Sequence, residues 1–108
     1  MKVNGQFSTK GEARLSPGKQ LKRMRNRLGI TIRQVEAYSS RVAQMEGNRK
    51  FSISDTCLTL IENRNATPSM YKLFSLSVIY RMRFVDLLAL YGVDPEKIIE
   101  FSSVEDPA

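Results

Sequence analysis

The sequence predicts an all-α fold of five helices, with the option of a sixth, short helix near the C-terminus. Apolar residues recur at spacings of three and four through most of the chain, which is the periodicity of helices with one buried face. Hydroxyl residues stand before these segments and glycines after several of them, as at helix starts and ends. No segment keeps the strict alternation of a half-buried strand beyond three or four residues.

The first helix follows Ser16-Pro17, a capping hydroxyl and a proline at the first helical position, where no backbone N–H is needed. Gly29 ends it, because glycine readily adopts the left-handed conformation of a helix end. Its apolar stripe consists of Leu21, Met24 and Leu28.

The second helix is predicted from about residue 31 to residue 46. Thr31 caps it, and Gly47-Asn48 ends it. Its apolar stripe is Ile32, Val35, Tyr38, Val42 and Met45.

Two serines start the next two helices. Ser54 caps a third helix over residues 54–63, in which Leu58 and Ile61 face inward. Pro68 limits any following helix to a start after it, and Ser69 caps the fourth. The predicted buried stripe of the fourth helix is Leu73, Leu76, Ser77 and Tyr80, with Phe74 and Ile79 at its edges.

A short fifth helix is predicted over residues 84–91, and Gly92 closes it. Its inward residues are Leu87, Leu88 and Tyr91. Asp94-Pro95 can open the sixth helix, up to Phe101.

A chain of 108 residues has the length of one domain. We expect a flexible basic arm over residues 1–15, the helical domain over 16–92, and a short helix and tail over 93–108. No apolar run approaches the roughly 20 residues of a membrane span, and the first residues lack the apolar stretch of a secretory signal. One cysteine, Cys57, excludes an internal disulfide and fits a cytoplasmic protein.

Composition argues against an enzyme. The chain has no histidine, which removes most metal sites and the catalytic pairs of serine or cysteine with histidine. The six glycines form no phosphate-binding loop. The sequence therefore predicts no catalytic residue, no metal and no cofactor.

The charge is distributed unevenly. Residues 1–50 hold 12 Lys/Arg against 3 Asp/Glu, whereas residues 51–108 hold 5 against 8, so the net charges are +9 and −3. A basic half on a small domain favours a polyphosphate partner such as nucleic acid. The alternative is a solvated surface that is rich in lysine and arginine.

Several residues occur in the order of a known family pattern. They are Leu21, Arg25, Gly29, Ile30, Thr31 and Val35, then Ile53-Ser54, Leu58-Thr59, Ile61-Glu62 and Pro68-Ser69. Over residues 16–92 this order resembles the Cro/phage-repressor-type helix-turn-helix domains, the XRE family. The resemblance implies a five-helix lambda-repressor-like fold and a transcriptional regulator or repressor that binds double-stranded DNA as a homodimer.

The resemblance also implies a buried ion pair between Arg25 and Glu62, which ties the first helix to the third. An arginine can hold a carboxylate through two hydrogen bonds. The alternative is that Arg25 reaches solvent or a phosphate.

The third helix is the implied recognition helix, about residues 54–63, and it begins at Ser54. The side chains implied to face the major groove are Asp55, Thr56, Thr59 and Leu60, with Asn63 and Arg64 near phosphate. Family members often carry Gln, Arg or Asn at these positions, so this set departs from the pattern. Asp55 can instead be an acid that the helix dipole favours at the N-terminus.

Arg33 and Gln34, at the start of the second helix, are the implied contacts to the DNA backbone. Ile32 stands where the family often has Gln. Arg33 can equally be a solvated surface charge.

The chain departs from the family most in the spacing of its two halves. The distance from Thr31 to Ser54 is 23 positions, about twice that of the family, whose two helices are joined by a short turn. The sequence predicts a second helix longer by about three turns and a basic return loop with Arg49 and Lys50. Three roles stay open for this insertion. We favour packing of Tyr38, Val42 and Met45 on Phe51; a partner-binding ridge, or phosphate contacts from Arg41, Arg49 and Lys50, are the others.

A second function remains open. Asp55 and Leu60 favour a protein-interaction module, or an antitoxin component, that keeps the fold with weakened base readout. Candidates for a dimer surface are the apolar residues Val93, Ile98, Ile99 and Phe101.

Overall fold

The computed structural model describes residues 15–94, and within this range the chain is all-helical. The helices are α1 (Pro17–Leu28), α2 (Ile32–Glu46), a short 3-10 helix (Arg49–Phe51), α3 (Asp55–Asn63), α4 (Met70–Tyr80) and α5 (Phe84–Leu90). The prediction of an all-α fold is confirmed. Most of the predicted arm over residues 1–15 and the sixth helix over residues 94–101 lie outside the described residues.

The predicted helix starts are present as hydrogen bonds. Ser16, Thr31, Ser54 and Ser69 each accept a backbone N–H three residues later, at 3.3, 3.1, 3.0 and 3.2 Å. Gly29 and Gly47 end α1 and α2 with φ of 70° and 65°, a conformation that favours glycine. No helix in the described range is both long and apolar enough to cross a membrane.

The core lies where α1, α2, α3 and α4 meet, and α5 closes it beside α4. Its fully or almost fully buried apolar residues are Leu21, Val35, Ile53, Leu58, Ile61, Leu73, Leu76, Tyr80 and Leu87. Leu58, Ile61 and Glu62 form the buried side of α3. Consequently the opposite side of α3 faces solvent.

α1 and α3 approach closely at Gly18. A Cβ atom on Gly18 would collide with the carbonyl oxygen of Ile61. The Gly18 N–H also donates to the Asn65 side-chain oxygen at 3.0 Å, just after α3. The absence of a side chain at residue 18 therefore brings the start of α1 against the end of α3.

Two predicted apolar stripes are wrong in part. In α1, Leu21 is buried but Leu28 is 48% exposed. In α2, the buried residues are Val35, Ser39 and Ala43, whereas Tyr38 and Met45 are 37% and 83% exposed. α2 buries small side chains because the return segment lies close to its backbone, as the contact of Ser39 with Ile53 shows.

The sequence pattern favours packing of Tyr38, Val42 and Met45 on Phe51. In the structure Phe51 instead packs on α4. Its ring packs edge-on against Tyr71 and Phe74 of α4, with centroid distances of 5.2 and 5.6 Å. The Ser75 hydroxyl donates to the Phe51 carbonyl. The return segment is thus anchored on α4, which leaves one side of α2 uncovered.

Candidate nucleic-acid interface

The orientation of α3 is fixed by the ion pair between Arg25 and Glu62. Arg25 Nε and Nη2 donate to the two carboxylate oxygens of Glu62 at 2.8 and 3.0 Å. Both residues are buried, and Arg25 Nη1 donates to the Ile30 carbonyl at 3.0 Å. The hydrogen bond with Glu62 raises the pKa of Arg25, so the guanidinium stays charged. The expected pairing is present, and it holds α3 to α1 and to the turn after α1.

The two ends of the inserted segment meet at Ser39. The Ile53 N–H donates to Ser39 Oγ at 2.8 Å, and this hydroxyl donates to the Glu36 carbonyl at 2.8 Å. Residues 40–52 therefore form a segment whose two ends meet at Ser39 and Ile53. Beyond Ser39, α2 continues over residues 40–46, about two turns. α3 consequently begins beside the middle of α2.

The residues predicted to face a DNA groove divide into two sets. Thr56, Leu60 and Asn63 are exposed on the side of α3 opposite its buried residues. Asp55 and Thr59 are half-buried, and the Thr59 hydroxyl donates to Asp55 Oδ1 at 3.4 Å. The first set is available to a partner. In the second set, Thr59 and Asp55 are hydrogen-bonded to each other.

Ser54 and Asp55 have local roles at the start of α3. The Ser54 hydroxyl accepts the Cys57 N–H, so it caps the helix. Asp55 lies in the first turn, where the helix dipole favours a negative charge. Both positions therefore have a structural explanation that requires no nucleic acid.

Cations lie at the C-terminal end of α3. Lys22 Nζ of α1 donates to Asn63 Oδ1 at 3.2 Å, and Arg64 is exposed directly after the helix. Positive charge is favourable here even without a ligand, because the carbonyl end of a helix carries partial negative charge.

A second group of cations precedes α3. Arg49 and Lys50 are exposed on the 3-10 helix, and Lys50 Nζ lies 5.3 Å from the centroid of the Tyr71 ring. Lys72 Nζ of α4 donates to the Lys50 carbonyl at 3.5 Å. Lys72 is therefore close to Lys50, which with Arg49 lies shortly before Ser54 in the chain.

Arg33 and Gln34 are exposed in the first turn of α2. The Gln34 side-chain oxygen accepts the Thr31 N–H at 2.8 Å in a capping box, which leaves its amide nitrogen as a donor. No hydrogen bond or ion pair within residues 15–94 joins Arg33 or Gln34 to α3. Arg33 and Gln34 therefore make no direct polar contact with α3.

Sequence reasoning missed Lys22, Ser39 and Lys72. Ser39 carries a signal, since it is a polar residue at helical spacing from Val35 and Ile32. Lys22 and Lys72 carry none, because each meets its partner across more than twenty positions of the chain. Among the described residues, no cluster of His, Cys, Asp and Glu is suited to hold a metal ion.

The fold and this site define an all-α domain that presents one rigidly held helix between two groups of cations. Comparison of the chain with protein-family models, with curated proteins and with solved structures gave no match.

Proposed function

We propose that this protein is a transcriptional regulator that binds double-stranded DNA and places α3 in the major groove. The observation that carries the proposal is the exposed side of α3, with Thr56, Leu60 and Asn63, on a helix fixed by a buried ion pair. The major groove is wide enough to admit an α-helix. Cations before and after α3 are suited to the phosphates on either side.

The outward side chains can read base edges in different ways. The Asn63 carboxamide can pair with adenine through two hydrogen bonds, and the Thr56 hydroxyl can donate or accept. Leu60 can contact a thymine methyl group. The hydrogen bond from Lys22 orients the Asn63 carboxamide before binding.

The working unit in this proposal is a homodimer. Three outward side chains on a short helix can read only a few base pairs, whereas a two-fold dimer reads two half-sites about one helical turn apart. The proposal assigns the dimer surface to no particular residues. Of the candidates from the sequence, Val93 is 50% exposed, while Ile98, Ile99 and Phe101 lie outside the described residues.

The proposal is tested by fluorescence anisotropy with a random-sequence duplex over a series of salt concentrations. We expect binding that weakens steeply as salt rises, because phosphate contacts release counterions. Replacing Arg49 and Lys50 together by Ala should reduce the slope of log K against log salt by about 1.8, since each phosphate contact contributes about 0.9.

The matched control is Arg81→Asn, which removes an exposed cation far along the chain from α3 and tolerates the left-handed backbone at that position. Its slope should equal that of the wild type. Anisotropy that stays flat to high protein concentration at low salt would contradict DNA binding.

A protein-interaction module is the second candidate, and the exposure of Leu60 favours it. An apolar side chain that is 46% exposed at the centre of the outward face can anchor a protein partner. A pull-down that recovers one stoichiometric protein and no DNA, and that Leu60→Asp abolishes, would support this candidate over the first.

A further inference from the structure

An open apolar groove lies between the end of α1, the uncovered side of α2 and the end of α4. We call it the α2 groove; its volume is about 540 Å³. Its lining residues are Leu28, Ile30, Tyr38, Arg41, Val42, Met45, Val78, Ile79 and Arg81. The groove exists because α2 buries Ser39 and Ala43 instead of its larger apolar residues.

The groove presents apolar surface together with positive charge. Leu28, Met45 and Val78 are 48%, 83% and 49% exposed. Its charged lining residues are Arg41 and Arg81, and neither side chain makes a hydrogen bond or ion pair to another residue of the described range. Arg81 has φ of 57°, a backbone conformation that is unusual for a residue other than glycine. An occupant would therefore combine apolar side chains with carboxylates.

A second copy of the same groove does not meet this requirement. Two identical grooves facing each other across a two-fold axis would place the two arginines of one copy opposite a surface that also carries two arginines. Like charges at a buried interface are unfavourable. The occupant must come from a different, acidic segment.

We propose that residues 95–108 of the same chain occupy the α2 groove. This segment contains four acidic residues and one lysine, a net charge of −3 that complements the two arginines. Ile98, Phe101 and Val104 recur every three residues, so a helical segment would present them on one face. Amphipathic helices that enter apolar grooves use anchors at such spacings.

The length of the chain permits docking within one molecule. The segment has 14 residues after Asp94, which span about 21 Å as a helix and at most about 46–50 Å when extended. Arg81 itself lines the groove, and α5 with its flanking turns separates it from Asp94. A tethered segment has an effective concentration in the millimolar range. Docking in the same chain is thus favoured over docking in a second copy.

The test is disulfide formation in the full chain with Cys57→Ser, in which Met45→Cys is combined with Phe101→Cys. If the segment occupies the groove, these two cysteines come within bonding distance and close an intramolecular disulfide under mild oxidation. The matched control combines Phe101→Cys with Ser40→Cys, an exposed position on the other side of α2. We expect the Met45 pair to close about tenfold faster or more, because docking raises the local thiol concentration.

Two results would overturn the proposal. Equal rates of disulfide closure for the two cysteine pairs would show that the segment does not prefer the groove. A disulfide-linked dimer would show that the segment docks in the groove of a second copy. The assay needs no DNA, so it is independent of the proposed DNA binding.

A second measurement keeps Cys57 and uses thermal unfolding. Val78→Asp and Phe101→Asp should give non-additive shifts in Tm if the two residues are in contact. Val85→Asp, at a similarly exposed valine outside the groove, should be additive with Phe101→Asp. Additivity for both pairs would also overturn the proposal.

Discussion

Arg25 donates a hydrogen bond from each of its three side-chain nitrogens, two to Glu62 and one to Ile30. Arg25→Met would leave the Glu62 carboxylate buried without its partner. We expect the free energy of unfolding to fall by about 3–5 kcal/mol, measured by urea denaturation.

The control is the double substitution of Arg25→Met with Glu62→Leu, which removes both charges. It should recover much of the lost stability, because an apolar pair of similar volume often replaces a buried ion pair without loss. An unchanged midpoint for Arg25→Met alone would contradict the role assigned to this pair.

The raised pKa values of Tyr80 and Tyr91 determine how the stability of the fold changes at alkaline pH. Burial raises the pKa of Tyr91 to about 12. The pKa of Tyr80 is raised even further, mainly by burial and to a smaller extent by the nearby negative charge of Glu62. In the unfolded chain a tyrosine loses its proton near pH 10. The unfolded state therefore binds fewer protons above pH 10, and Tm should fall as pH rises from 10 toward 12.

Tyr80→Phe should make this decline less steep. The Tyr80 hydroxyl is buried without a hydrogen-bond partner in the described range, so its removal should also leave stability at neutral pH unchanged or higher. A decline equally steep in the variant would show that Tyr80 does not cause it.

At the scale of elements, the Ser39 hydroxyl closes the base of the inserted segment by accepting the Ile53 N–H. Ser39→Ala would leave the buried Ile53 N–H without its acceptor, and we expect a loss of about 1–3 kcal/mol. Ser40→Ala is the matched control, since Ser40 is the next residue on α2 and is exposed. Equal urea-unfolding midpoints for the two variants would contradict the stabilising role of the Ser39–Ile53 hydrogen bond.

Helix positions were predictable from the sequence because their signals are local. A serine or threonine cap bonds three residues ahead, and a glycine at a helix end needs only its own conformational freedom. Which side of α2 is buried was not predictable in the same way. Tyr38 and Met45 have the periodicity of a core stripe, but the neighbouring segment that packs on Ser39 decides the buried side.

At the scale of the molecule, the candidate site is assembled from distant parts of the chain. The pairing of Arg25 with Glu62 could be expected from a family resemblance, and the exposed positions Thr56 and Asn63 from the helical repeat. The contribution of Lys72 could not, because only the packing of Phe51 on α4 brings it to Lys50. The uncovered α2 groove likewise follows from tertiary packing.

Base reading by the outward side of α3 is tested by selecting bound duplexes from a randomised pool with the wild type and with Thr56→Ala combined with Asn63→Ala. We expect an enriched sequence for the wild type and a relaxed preference for the variant, with a nearly unchanged salt slope. The control Ser40→Ala should keep the wild-type preference. Identical enriched sequences for the wild type and the α3 variant, or no enrichment at all, would contradict the claim.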